Sequence, residues 1–233
     1  MIILAETQEV PNRDRIVLAA NELIKSIAFY YSAQTEFDTN NKPLAAYSTY
    51  YSLFHTAQFC LLVDCRIPMD EGDWLANDSM AARSRRWSTP LKHDKVITLL
   101  RSCAVADAKL VSTLETSRTL REFFSYGPKL IRNKPYGYFV YVNPYAELMK
   151  QMTDFIKSLR EWYFGIPEIL LKVRYDIDLT LLCIQLWGLK RLYLRTFEYP
   201  PDIQRKCNEL VEQIVSSMEN KYEFRINRIE IDR

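Results

Sequence analysis

The residues whose chemistry is easiest to interpret are Arg132 and Asn133, which follow the apolar pair Leu130 and Ile131. An arginine can bind two phosphate oxygens at once through its permanently charged guanidinium, and a neighbouring amide can orient the bound group. In metal-independent RNA cleavage, such an arginine would stabilise the negative charge that grows on the phosphoryl oxygens. The pair therefore predicts a phosphate site, with Arg132 and Asn133 as candidate catalytic residues.

Two tyrosines, Tyr136 and Tyr138, lie just beyond this pair. Their rings could stack on an RNA base or donate a hydrogen bond, but a phenol with an ordinary pKa of about 10 is a poor base at neutral pH. Proton transfer would need one of the two histidines, His55 or His93. We expect His55 to be a satisfied core or interface residue and His93 to be exposed. The alternative role for Arg132 is structural, at a helix C-terminus.

A second candidate RNA-binding segment lies in the long loop between residues 66 and 90. Its cations and its indole could contact phosphates and stack on a base, and they are Arg83, Arg85, Arg86 and Trp87. The alternative is a solvated basic loop that is balanced by nearby carboxylates, namely Asp70, Glu71, Asp73 and Asp78. Both interpretations are compatible with the sequence.

The composition predicts an all-α protein. The 233 residues are 48% hydrophobic, and only 5 glycines accompany 15 tyrosines and 11 phenylalanines, which favours long helices with aromatic packing. A net charge of +2 is too small to imply a nucleic-acid partner by itself. The five cysteines are scattered, form no Cys-x-x-Cys pair and are predicted to be reduced core residues. We therefore expect a cytoplasmic protein with no metal site and no cofactor.

The apolar pattern predicts helices at about 13–33, 44–65, 91–105, 109–131, 143–163 and 202–220. Between the last two, a further helical segment is predicted after a break at 165–167 and runs to about Phe197. The fourth of these helices would end at Arg132. The second has no charged residue between Leu44 and Val63, so we expect neighbouring helices or a second copy to cover most of its sides. The uncharged run 179–189 is too short to cross a bilayer and is predicted to be a buried helix. Residues 224–233 could form a short strand or an ordered tail.

Three segments resemble the HEPN superfamily of helical domains, and they occur in the same order. They are the tyrosine-rich, Phe-His-containing segment 46–57, the Lys92-His93 segment, and the pair Arg132-Asn133. The resemblance implies an HEPN-like helical bundle over residues 1–160 and a C-terminal helical extension over residues 161–233, packed on the bundle. It also implies RNA as a ligand and a homodimer, because family sites usually form where two copies bring their Arg-bearing helices together.

In this family, an arginine, a following polar residue and a histidine four to six positions later form a metal-independent ribonuclease site. The corresponding positions here are Gly137, Tyr138 and Phe139. We therefore expect a non-catalytic component of a prokaryotic toxin–antitoxin or antiviral defence system that binds RNA, a nucleotide or a protein partner, such as a nucleotidyltransferase or another defence component. The alternative is a metal-independent endoribonuclease that uses Arg132 at a dimer interface, so the sequence leaves enzymatic activity open.

Overall fold

A computed structural model describes residues 13–67, 93–126, 130–132, 139–141 and 145–227. Its helices are α1 (Arg13–Asp38), α2 (Lys42–Val63), α3 (His93–Leu100), α4 (Ala108–Tyr126), α5 (Tyr145–Phe164), α6 (Ile166–Ile169), α7 (Leu179–Thr196) and α8 (Pro201–Tyr222), with a 3₁₀ turn at Leu170–Val173. Two three-residue strands, β1 (Leu130–Arg132) and β2 (Phe139–Tyr141), pair in antiparallel fashion. Helices dominate the described residues, which confirms the all-α prediction.

Helices α1 and α2 form the centre of the bundle. Helix α2 has Pro43 in its first turn, where a missing amide proton costs nothing, and most of its residues are buried. Helix α4 packs on α2, whereas α7 and α8 pack on α1. Neighbouring helices of the same chain therefore cover most of α2, as one of the two alternatives for this helix predicted.

Arg15, from α1, closes the C-terminus of α2. Its guanidinium donates to the carbonyl oxygens of Leu61, Leu62, Asp64 and Ile67 at 2.9–3.0 Å. The last carbonyls of a helix have no partner within the helix, so an arginine from a neighbouring helix can supply the missing donors. With only 7% of its surface exposed, Arg15 is a buried charge that backbone oxygens satisfy.

Asp64 ties the end of α2 to the loop that precedes α4. Its buried carboxylate accepts hydrogen bonds from the Arg66 guanidinium at 2.6 and 2.8 Å and from the Ala104 amide at 2.7 Å. Burial raises the pKa of Asp64, but these hydrogen bonds lower it by more, and the resulting pKa is about 2. The carboxylate is therefore ionised at neutral pH despite its burial.

A network of buried hydroxyl groups joins α1, α2 and α5. The Ser26 hydroxyl lies 2.6 Å from that of Thr56 and 2.7 Å from that of Tyr163, and the Ser52 hydroxyl donates to the Ser26 carbonyl at 2.9 Å. Burial raises the pKa of Tyr163, so its phenol stays protonated. The hydroxyl groups of Ser52 and Thr56 on α2 thus face the protein interior, where both are hydrogen-bonded.

The C-terminal helices contribute to the same hydrophobic core as the N-terminal ones. One cluster of buried side chains includes Ile16 of α1, Leu53 of α2, Leu159 of α5, Leu182 of α7 and Val215 of α8. The predicted boundary between residues 160 and 161 lies inside α5. The bundle and the extension are therefore successive parts of the chain that share one core.

Helix α7 contains the uncharged run 179–189, and only one of its faces is buried. Leu182 and Leu186 are in the core, but Ile184 and Leu192 are 41% and 64% exposed. The prediction of a buried helix therefore holds for one face. No helix within the described ranges combines the length and hydrophobicity that a bilayer crossing requires.

A lysine is enclosed between α7 and α8. Lys190 is 1% exposed, and its Nζ lies 2.7 Å from a Glu212 carboxylate oxygen and 3.4 Å from the centre of the Trp187 ring. The carboxylate and the indole face together replace the water that such an ammonium group would otherwise bind.

Several predicted helix ends were wrong. Helix α4 ends at Tyr126, and Arg132 lies in β1 and not at a helix C-terminus. The sequence Gly127-Pro128 follows α4 at once, and proline lacks the amide that would continue the helical hydrogen bonds. Helix α3 ends at Leu100, before the turns at 101–102. Turns also separate α6 from α7, which begins where the Asp178 carboxylate accepts from the Leu181 amide at 2.9 Å.

The four described residues of the C-terminal tail form no regular element. Residues 224–227 are outside both helices and strands, so the alternative of a short strand does not apply to them. The Ile226 amide nevertheless donates to the Glu219 carboxylate at 2.9 Å, which holds this part of the tail against α8. Residues 228–233 lie outside the described residues.

Candidate anion-binding site

The residues that the sequence singled out are largely outside the described part of the chain. Arg132 is the last residue of β1 and pairs with Phe139 of β2, but its side chain is not described. The other predicted site residues lie outside the described ranges, and they are Asn133, Tyr136, Tyr138, Arg83, Arg85, Arg86 and Trp87. Their roles stay predictions, and the site below is built from other side chains.

His93 begins α3 and packs against the aromatic side of α2. Its Nδ1 is hydrogen-bonded to the Tyr50 hydroxyl, and its ring centre lies 4.6 Å from that of Phe54. The prediction that His93 is exposed was wrong, because α3 lies against α2 and leaves the imidazole half-buried. The aromatic helix α2 and the start of α3 therefore meet at this point.

The surroundings of His93 favour the neutral imidazole. Burial lowers the pKa of His93, and the positive charges of Arg121 and Arg118 lower it further. A phenol O–H is a better donor than a neutral imidazole N–H, and an imidazole nitrogen is a better acceptor than a phenol oxygen, so Tyr50 donates to Nδ1. Burial also raises the pKa of Tyr50, which keeps the phenol protonated. The remaining imidazole proton is then on Nε2, where it can be donated to a ligand.

Arg121, on α4, has hydrogen-bond donors to spare. Its guanidinium carbon lies 4.6 Å from the centre of the Tyr50 ring, which is a cation–π contact. Its Nε is buried without a hydrogen-bond partner, and the guanidinium forms no ion pair within the described residues. A buried donor with no acceptor costs roughly 1–3 kcal/mol, and more when it is charged. An anion at this position would remove that cost.

The neighbouring arginines are already paired. Arg118 bonds Glu122 at 2.9 Å and also pairs with Asp94. Arg101 pairs with Glu115 across the polar groove of about 400 Å³ that runs between α3 and α4. Arg121 therefore differs from both, because its positive charge has no counterpart among the described carboxylates.

The other histidine is satisfied within the bundle, as expected. The Nδ1 atom of His55 lies 2.6 Å from a Glu22 carboxylate oxygen and 3.2 Å from the Gln58 amide oxygen. The other Glu22 oxygen accepts from Lys25 at 2.9 Å, and the His55 ring stacks on Phe29. The Nδ1 atom of His55 and both Glu22 carboxylate oxygens are therefore already bonded within the bundle.

A second pocket, of about 240 Å³, lies between α4 and α5 and offers less chemistry. Its apolar wall includes Leu53, Leu110 and Trp162, and it contains no histidine. Asp107, at its rim, already accepts from the Leu110 amide at 2.6 Å and so caps α4. We therefore place the candidate site at His93 and Arg121.

Sequence reasoning missed Tyr50 and Arg121 as site residues. The spacing of Arg118 and Arg121 puts both on one side of α4, which was the available signal.

Within the described ranges, no three His, Cys, Asp or Glu side chains are placed to hold a metal ion. Comparisons with family models, with curated proteins and with solved structures found no match.

Proposed function

We propose that the protein is a non-catalytic RNA-binding module that binds a phosphate group between Arg121 and His93. The unpaired guanidinium of Arg121 is the observation that carries this proposal. A guanidinium is the cation best matched to two phosphate oxygens, and the Nε2 proton of His93 adds a neutral donor. The unoccupied donors thus suit an anion with several acceptor oxygens.

We also propose that the protein is an HEPN-like domain and that it works in the kind of system in which such domains occur. Two segments that resemble this family supply Tyr50 and His93 to the same cluster, which supports a common role for them. In this proposal the protein acts in the cytoplasm as part of a prokaryotic toxin–antitoxin or antiviral defence system. It acts as a homodimer and has a protein partner, such as a nucleotidyltransferase or another defence component.

RNA binding can be tested by the fluorescence anisotropy of a labelled oligoribonucleotide at several salt concentrations. We expect wild-type protein to bind and Arg121→Met to bind at least about tenfold more weakly, with a salt slope that is smaller by about 1. Arg174→Met is the matched control, because Arg174 also lies over a tyrosine ring but is exposed and far from His93 in the sequence. Equal affinities for wild type and Arg121→Met would contradict the proposal.

A second candidate function is metal-independent RNA cleavage, which the neutral state of His93 favours. In this candidate the imidazole takes its other tautomer, in which Nδ1–H donates to the Tyr50 oxygen. Its Nε2 can then accept the proton of the ribose 2′-hydroxyl while a guanidinium stabilises the phosphorane oxygens. Cleavage in EDTA that is lost in both His93→Gln and Arg121→Met would support an active site at this cluster. Loss in Arg132→Ala alone would instead favour the predicted site at a dimer interface, and no cleavage by wild type would leave the binding role.

A further inference from the structure

One side of α2 is exposed, although neighbouring helices cover the rest of this helix. The exposed and partly exposed side chains on this side are Leu44, Tyr47, Tyr51 and His55, which are spaced three or four residues apart and so share one face. Tyr47 is 43% exposed, and Leu44 is 49% exposed. The surface that α2 presents to solvent is therefore largely aromatic.

Phe29 of α1 extends this surface, and we refer to Phe29, Tyr47, Tyr51 and His55 together as the aromatic strip. Its rings are in sequential contact. The ring centres of Tyr47 and Tyr51 are 4.5 Å apart, those of Tyr51 and Phe29 are 5.5 Å apart, and those of Phe29 and His55 are 5.5 Å apart. The planes of the last pair are inclined by only 15°, so these two rings are nearly parallel and stack on each other.

The strip adjoins the one arginine that lacks a counterion within the described residues of this region. The guanidinium carbon of Arg121 lies 4.6 Å from the centre of the Tyr50 ring, and the Tyr50 ring contacts that of Tyr51, a member of the strip, with ring centres 5.2 Å apart. The carboxylate that contacts the strip, that of Glu22, is already bonded by Lys25 and His55. The surface therefore combines ring faces with an unpaired cation.

This combination fits a nucleotide better than it fits an apolar protein surface. A nucleotide has a flat base that can stack on a ring and a phosphate that can pair with a guanidinium. A protein partner with an apolar face would match the rings but would leave the Arg121 donors without acceptors. The charge and the ring faces together favour nucleic acid as the occupant.

We propose that the aromatic strip is a base-stacking surface and that its ligand is single-stranded RNA. A phosphate pairs with Arg121 while an adjacent base stacks on Tyr47 or Tyr51. The bases of a duplex are stacked on one another, so only a single strand can present a base face to these rings. This inference rests on the proposed phosphate binding at Arg121.

The test compares a labelled single-stranded 12-mer of adenosine, a 12-mer of uridine and a 12-base-pair RNA duplex, by fluorescence anisotropy. Replacing one stacking ring weakens single-strand binding by about 5- to 100-fold. We expect Tyr47→Ala to show a loss in this range on the adenosine strand and little change on the duplex, and Tyr47→Phe to retain binding. Tyr175→Ala is the matched control, since Tyr175 is 85% exposed and also contacts an arginine.

Each outcome separates the stacking surface from the phosphate site. The stacking surface would be overturned if Tyr47→Ala lost the same affinity for the single strand and the duplex, or lost none for either. Phosphate binding at Arg121 would still stand if Arg121→Met weakened the binding of both RNAs. No RNA binding by wild type would overturn both ideas. The inference would also be overturned if the wild type sediments as a dimer and Tyr47→Ala sediments as a monomer with unchanged RNA affinity. The strip would then be a contact between copies of the chain.

Discussion

Arg15 and Arg121 belong to the same helical bundle, but their guanidinium groups have opposite hydrogen-bonding states. Arg15 donates to four backbone carbonyls, whereas the Nε of Arg121 is buried with no acceptor. A buried arginine that donates to several backbone carbonyls stabilises the fold, because its removal leaves those carbonyls unpaired. An arginine with unused donors contributes little to folding and is suited to bind a ligand. The state of the donors, and not burial alone, separates the two roles.

The largest expected effect is on the stability of the fold at Arg15. Arg15→Met should lower the free energy of unfolding by about 3–5 kcal/mol, because several buried carbonyls at the end of α2 lose their donor. Urea denaturation followed by circular dichroism measures the change. The matched control is Arg13→Met, two residues away on the exposed side of α1, where we expect a change within about 0.5 kcal/mol. A loss below about 1 kcal/mol for Arg15→Met would break the comparison.

The opposite result is expected at Arg121. Arg121→Met should change the free energy of unfolding by less than about 1 kcal/mol, because it removes a donor that has no acceptor. The same substitution should weaken RNA binding by at least about tenfold, since charge-assisted hydrogen bonds contribute roughly 1.5–3 kcal/mol. Denaturation and anisotropy on the same preparation measure both quantities. A large loss of stability with unchanged RNA affinity would mean that Arg121 is structural, like Arg15.

Asp64 provides a test at low pH of the structural role of Arg15, because the backbone carbonyl of Asp64 is one of the acceptors for the Arg15 guanidinium. With a folded-state pKa of about 2, below the usual value near 4, its carboxylate contributes stability above about pH 4 that is lost as the pH falls toward 2. We expect Asp64→Asn to cost about 1–2 kcal/mol at pH 7, after allowance for the exposure of its partner Arg66. Denaturation at pH 7, 4 and 2.5 should show this difference shrinking, and a constant difference would contradict it.

The smallest expected effect is a pH dependence at His93. The lowered pKa makes the unfolded chain take up a proton before the folded protein does, so stability should decrease below about pH 6.5. A bound phosphate favours the imidazolium, so RNA affinity should instead increase by a few-fold from pH 8 to pH 6. The charged and titratable groups that face His93 are Tyr50, Asp94, Arg118, Arg121 and Glu122. His93→Gln should flatten both profiles, and an unchanged RNA profile would exclude His93 as the sensor.

The helical elements followed from the sequence more closely than the site did. The period of apolar residues predicted α1, α2 and α8 to within a few residues of their observed ends, because each buries a continuous face or is enclosed. The end of α4 was harder to predict. The predicted helix ran through Gly127 and Pro128 to residue 131, whereas the observed helix stops at Tyr126.

The site depended on contacts between residues that are far apart in the sequence. Ser52 and Thr56 lie four residues apart on α2, and nothing local in the sequence indicates that Ser26 and Tyr163 pair with them inside the protein. The polar side of α2 was thus internal, and its aromatic side was partly exposed. His93 had the charged neighbours Lys92 and Asp94, which suggested solvent exposure, and only the packing of α3 on α2 brings it to Tyr50. Whether the donors of Arg121 have acceptors can likewise be determined only from the packed structure.

The enclosure of Lys190 gives the contact between α7 and α8 a chemical signature. An amine-reactive reagent modifies a lysine only when its ammonium group is accessible and can lose a proton, and Lys190 is both enclosed and paired with Glu212. Exposed lysines such as Lys172 should therefore be labelled in the folded protein, while Lys190 is labelled only when α8 separates from α7. Mass-spectrometric footprinting at this single residue would report the opening of the C-terminal helices independently of global unfolding.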